Sequence, residues 1–124
     1  MIEAYISRAD VHFYLGEYVE TINDTNRVLE LDPYSSDGYA LRGSALDGIG
    51  RSRDAISDFS IALGLNPEHS LLWINRGIAY AKIGEFDLAL LNLETYLELD
   101  TDSPEEPRVQ SMIDTLKSDI ATQE

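Results

Sequence analysis

The chain has 124 residues, no cysteine, and 9 basic against 23 acidic side chains, a formal net charge of −14. That length suits one domain, and 44% hydrophobic with 26% charged side chains is a globular composition, not a disordered one. The balance excludes disulfides, thiolate zinc sites and a cysteine nucleophile, and it argues against a nucleic-acid backbone or an anionic membrane surface as partner.

Met1-Ile2-Glu3-Ala4-Tyr5 lacks the basic and apolar regions of a signal peptide, and the longest strictly apolar runs, such as Leu71 to Ile74, are four residues. A soluble, cytoplasmic chain is expected. Gly16, Gly50 and Gly84 are spaced by 34 residues, and so are Leu31, Leu65 and Leu99. Tyr5, Tyr39 and Trp73 keep the same step, as do Arg8, Arg42 and Arg76. Many columns at one period mark an internal repeat.

Each repeat reads as two helices. Trp73, Gly77, Tyr80 and Ala81 recur on one face, Gly84 ends that helix, and Phe86, Ala89, Leu90, Leu93 and Leu97 restart the period. The second helices stop at Leu-Asp-Pro 31–33, Leu-Asn-Pro 65–67 and Leu-Asp-Thr 99–101. The spacing predicts helix pairs over 3–15 and 18–31, 37–49 and 52–65, and 71–83 and 86–99. Ser103-Pro104-Glu105-Glu106 then reads as a capping-box start, with Ser103 as N-cap and Pro104 at the first helical position. Val109, Met112, Ile113, Leu116 and Ile120 make one apolar stripe behind it. The expected fold is all-α: a solenoid of three antiparallel helix pairs followed by a seventh, capping helix. Residues 1–124 are expected to form one domain, with repeats near 2–35, 36–69 and 70–103 and the cap near 104–121.

The period, the two-helix unit and the columns Trp73, Arg76-Gly77, Tyr80, Gly84, Phe86, Ala89 and Leu97 resemble the tetratricopeptide repeat (TPR) family. The second copy keeps Tyr39, Gly43, Gly50, Ala55, Phe59, Ala62 and Pro67. The first keeps Tyr5, Ala9, Gly16, Tyr18, Val28 and Pro33, with Thr21 where the family prefers alanine. Tyr96 replaces the Val28 and Ala62 of its column, which suggests that its neighbour is the capping helix.

The resemblance implies a concave face lined by the first helix of each pair. The inward columns hold Glu3, Ile6, Asp10 and Phe13, then Asp37, Leu41, Ser44 and Asp47, then Leu71, Ile74, Asn75 and Ile78. The expected function is a non-enzymatic protein-interaction module that holds a partner peptide or helix with apolar anchors and Lys or Arg. The groove residues singled out are Asp10, Phe13, Asp37, Leu41, Ser44, Ile74, Asn75 and Ile78. Chaperone-binding members of the family clamp a terminal carboxylate with cationic and amide side chains; their clamp columns correspond here to Ile6, Asp10, Leu41, Leu71 and Asn75, with no cation among them. A chaperone-tail ligand is therefore not expected. A second reading is a self-assembling domain or an accessory domain of a larger polypeptide, enzymatic or not, because helix one starts almost at Met1 with no polar segment covering that face. Dimerisation through that face is the corresponding oligomer.

The remaining signals favour structure. Asp24, Asp58 and Asn92 share one column and are the expected partners of Arg8, Arg42 and Arg76, in preference to an anion-binding stripe. His12 and His69 lie in different columns; His12 is expected to pack in the core or at an interface, and no metal site follows. Scattered carboxylates alone make no general acid–base site, and Gly48-Ile49-Gly50-Arg51 does not complete a phosphate loop. No catalytic residue and no cofactor are expected.

Overall fold

The computed structural model describes residues 1–123. Seven helices follow in order: α1 (Ile2–Tyr14), α2 (Tyr18–Leu31), α3 (Ser36–Gly48), α4 (Ser52–Leu65), α5 (Leu71–Lys82), α6 (Phe86–Leu99) and α7 (Glu106–Gln123). Among the described residues there is no strand. Residues Met1–Glu68 form one compact unit and those from His69 onward a second. The division falls at the step between the second and third copies.

The turns inside the three pairs share one geometry. Gly16, Gly50 and Gly84 adopt φ of 78°, 85° and 81°. The N–H after each glycine reaches back five residues: Glu17 to the His12 carbonyl (2.8 Å), Arg51 to Leu46 (2.8 Å) and Glu85 to Tyr80 (3.0 Å). This is the Schellman closure, and its left-handed position is the reason for glycine. At the start of α3 the Ser35 hydroxyl caps the helix by accepting from the Gly38 N–H at 3.0 Å.

Within the first unit, α1 packs on α2, α3 on α4, and α3 also on α2 and α1. Gly43 removes a side chain where α3 meets α4: an added Cβ would lie 2.8 Å from the Phe59 ring. Phe59 is 1% exposed, a burial worth about 1.5–3 kcal/mol. The first copy reverses the sizes. Ala9 stands in the Gly43 column and Thr25 in the Phe59 column, both fully buried. The buried hydroxyls there are satisfied by their own helix: Thr21 Oγ1 donates to the Glu17 carbonyl at 2.9 Å and Thr25 Oγ1 to the Thr21 carbonyl at 2.9 Å. Thr21 thus occupies an alanine column without an orphaned donor.

In the second unit, α5 packs on α6 and α6 on α7. Ile74, Ala89, Leu93 and Tyr96 form a buried cluster with Val109, Ile113 and Leu116 of α7. Tyr96 is therefore covered by the capping helix. That helix begins at Glu106 instead of at the expected Pro104. The Ser103 hydroxyl accepts from the Glu105 N–H at 3.0 Å and is also hydrogen-bonded to the Tyr96 hydroxyl. Ser103 thus ties the turn to α6, and the helix starts after it.

Candidate partner-binding surface

The arginine columns are consumed inside the pairs. Arg8 donates to both Asp24 oxygens, at 2.9 and 2.6 Å, and Arg42 to both Asp58 oxygens, at 2.7 and 3.0 Å. Arg76 Nε donates to Asn92 Oδ1 at 2.6 Å. Each guanidinium also lies over the aromatic ring three residues earlier, 5.6 Å from Tyr5, 5.5 Å from Tyr39 and 4.9 Å from Trp73. The bidentate bonds from Arg8 hold the Asp24 carboxyl below its usual pKa. Hydrogen bonding to Asp58 raises the pKa of Arg42, whereas burial lowers that of Arg76, whose partner in this column is a neutral amide. Arg42 Nη1 also donates to Asn26 Oδ1 at 3.0 Å, joining the second pair to α2. This ladder is a set of structural staples.

The acidic face of the first unit is left to solvent. Asp10 on α1 and Asp37 on α3 are exposed, and among the described residues neither is held by an ion pair. Phe13, Leu41 and Ser44 are half-buried beside them. Phe13 stacks at a tilt on Tyr18, with centroids 5.7 Å apart. The Ser44 hydroxyl donates to the Ala40 carbonyl at 3.1 Å, so its polarity is turned to its own helix.

In the second unit Asn75 and Ile78 are half-exposed, but Ile74 is not available to a partner. It is 1% exposed, inside the cluster that α7 closes. The expectation that Ile74 lines the groove is corrected on that ground: the capping helix closes the cluster to which this α5 side chain belongs. Ile78 instead lines a cleft of about 400 Å³ among α5, α6 and α7. The residues that share it, including Ala81, Phe86 and Met112, were read from the sequence as helix-face packing positions and not as part of a partner site. The available signal was Met112 at the edge of the α7 stripe.

Of the two places expected for His12, core or interface, the structure shows the second, between α1 and α2. Its side chain is half-buried, with Nδ1 3.0 Å from Glu17 Oε1 and Nε2 3.8 Å from Asp24 Oδ2. It bridges the turn between α1 and α2. Among the described residues no three His, Asp or Glu side chains are grouped to hold a metal ion, and no helix is long and apolar enough to cross a membrane.

No protein-family model matches the chain. Among curated proteins it is 30% identical over 87 residues to the TPR repeat-containing thioredoxin TDX of Arabidopsis thaliana, covering 70% of this chain and 23% of that protein. Among solved structures, the first TPR of Spaghetti (RPAP3) bound to the Hsp90 peptide SRMEEVD superposes with a TM-score of 0.89 at 22% identity, covering 97% of this chain and 93% of that one. The type III secretion chaperone SycD of Yersinia enterocolitica, in complex with a peptide of the translocator YopD, superposes with a TM-score of 0.87 at 22% identity, covering 94% and 92%. This is a tetratricopeptide-repeat chain. It spans less than a quarter of the length of the curated relatives it matches. Of the positions that the TPR resemblance matches to a carboxylate clamp, Ile6, Leu41 and Asn75 are half-buried and Asp10 and Leu71 are exposed.

Proposed function

We propose that this TPR chain is a non-enzymatic module that recognises a segment of a partner protein on the α1–α3 face, through apolar anchors on Phe13 and Leu41 and cations beside Asp10 and Asp37. The observation that carries the reading is the pairing of two exposed carboxylates with half-buried apolar side chains on neighbouring helices. A preformed face lowers the ordering cost on the protein's side of the complex. Peptide complexes of TPR structures with this fold support the general mode.

The ligand chemistry is opposite to that of the SRMEEVD peptide. A segment with two glutamates, an aspartate and a terminal carboxylate would meet a chain of net charge −14 whose clamp columns hold no cation. Lys or Arg on the partner satisfies both the local carboxylates and the overall field. A cytoplasmic setting fits this reading. The second reading, an accessory domain of a larger polypeptide, is favoured by one observation: the thioredoxin relative carries its TPR within a chain more than four times as long as the matched part.

The test uses the purified chain as bait against lysate of its source organism, beside an Asp10→Lys, Asp37→Lys variant of equal helicity by circular dichroism. A protein retained by the original bait and lost by the variant is the expected result. Identical retention by both baits would refute recognition by this face.

A further inference from the structure

The second unit holds a cleft that its own packing leaves open. Its volume is about 400 Å³, and its walls come from Ile78 and Ala81 of α5, Phe86 and Leu93 of α6, and Met112 and Leu116 of α7. An apolar cavity of about 150 Å³ already suffices for benzene, and ligand pockets begin near 300 Å³. The space is therefore large enough for one bulky side chain. Its walls offer a water molecule few hydrogen bonds, so apolar groups compete well for it. Met112 supplies an unbranched, adaptable wall. The polar atoms sit on a few side chains, Lys82 and Asp119 among them. Lys82 already has a polar interaction of its own. Asp119 adds a carboxylate, which a cation next to the apolar group complements.

We infer that this cleft is an anchor pocket for a large aromatic or aliphatic side chain of a partner segment, with a lysine or arginine as the adjacent residue. The inference rests on the peptide-binding reading above and places a separate anchor site in the second unit. It also gives Ile78 a role that differs from a general groove contact, as a wall of that subsite.

The probe is the blocked dipeptide N-acetyl-Phe-Lys-amide, titrated into the 124-residue chain and followed by methyl NMR. The expected result is saturable shifts confined to the methyls that line the cleft, those of Ile78, Met112 and Leu116 among them. N-acetyl-Ala-Lys-amide should bind about tenfold more weakly, because the buried aromatic surface is lost. N-acetyl-Phe-Glu-amide should bind about two- to fivefold more weakly, the scale of an exposed charge contact, and Asp119→Lys should reverse that order. Ala81→Leu fills the cleft from inside and should abolish saturation. Thr115→Trp does so from an exposed wall position on α7 and covers the case in which the first variant misfolds. Shifts that never saturate, or that survive both variants unchanged, overturn the pocket.

The two proposals fail separately. Loss of partner retention in the Asp10→Lys, Asp37→Lys bait without dipeptide binding removes the pocket alone. Saturable dipeptide binding with identical retention by both baits removes the α1–α3 face alone.

Discussion

Gly43 and Gly64 are both helical glycines, yet replacing each by alanine should change stability in opposite directions. Alanine in a helix gains roughly 0.5–1 kcal/mol over glycine. At Gly64, on α4, a Cβ meets nothing within 4 Å, so Gly64→Ala should raise stability by about 0.5 kcal/mol, less than the full gain because it lies next to the helix end. At Gly43 the same Cβ meets Phe59 Cε1 at 2.8 Å, Phe59 Cδ1 at 2.9 Å and the Ala55 carbonyl oxygen at 3.3 Å. Phe59 is buried and the carbonyl belongs to a helix, so neither yields cheaply. Overpacking costs about 1–3 kcal/mol; set against the propensity gain, Gly43→Ala should destabilise by about 0.5–2 kcal/mol. The third copy supplies the compensation: Gly77 faces Leu93, with the nearest leucine atom at 3.1 Å. Gly43→Ala combined with Phe59→Leu should therefore cost less than the sum of the two single changes. Urea unfolding followed by far-UV circular dichroism measures all four variants. If Gly43→Ala is as stable as the original chain, or if the double variant shows no favourable coupling, the size-matching argument is wrong.

Asp58→Ala should cost about 3 kcal/mol, the low end for a broken buried pair because the Arg42 side chain keeps 27% exposure. Asp58→Asn should cost about 1 kcal/mol, since Asn92 shows an amide accepting the same Nε bond; denaturant titration orders the two. Asp24 carries a depressed pKa in the folded chain, so its contribution is present above the ordinary carboxylate value and is lost as pH falls through the folded value. Asp24→Asn should lower stability near neutrality and flatten the fall that sets in near the ordinary carboxylate value and continues below it, which unfolding curves from neutral into acid pH would reveal. Gly50→Ala should destabilise by about 1–2 kcal/mol at its φ of 85°, and Gly50→Asn by less, as thermal melts would show.

The sequence carried the repeat because a 34-residue step recurs in glycine, leucine, aromatic and arginine columns together. Six helices lie within about a residue of their expected bounds because glycine turns and Asp-Pro or Asn-Pro stops are local signals. The arginine staples were legible because both partners follow the same period. Ile74 was not, because its burial depends on where α7 lands, which a repeat column does not encode. The start of α7 depends on a hydroxyl that Tyr96 engages from seven residues away. The exchange of Ala9 and Thr25 for Gly43 and Phe59 was present as two size-matched columns, but reading it requires knowing which columns meet. The acidic face was visible as residues; its exposure required the packing of α1 on α3.

Trp73 is the sole tryptophan of the chain, and it lies in the second unit under the Arg76 guanidinium. Its indole emission consequently reports the second unit, while the helical dichroism sums both units. When the two signals are recorded in the same denaturant series, coincident curves mean that the repeats melt as one cooperative body. Curves that separate mean that the two units unfold in distinct steps, seen without any added label. A single aromatic side chain thus makes the nearest-neighbour energetics of a repeat protein measurable in its unmodified form.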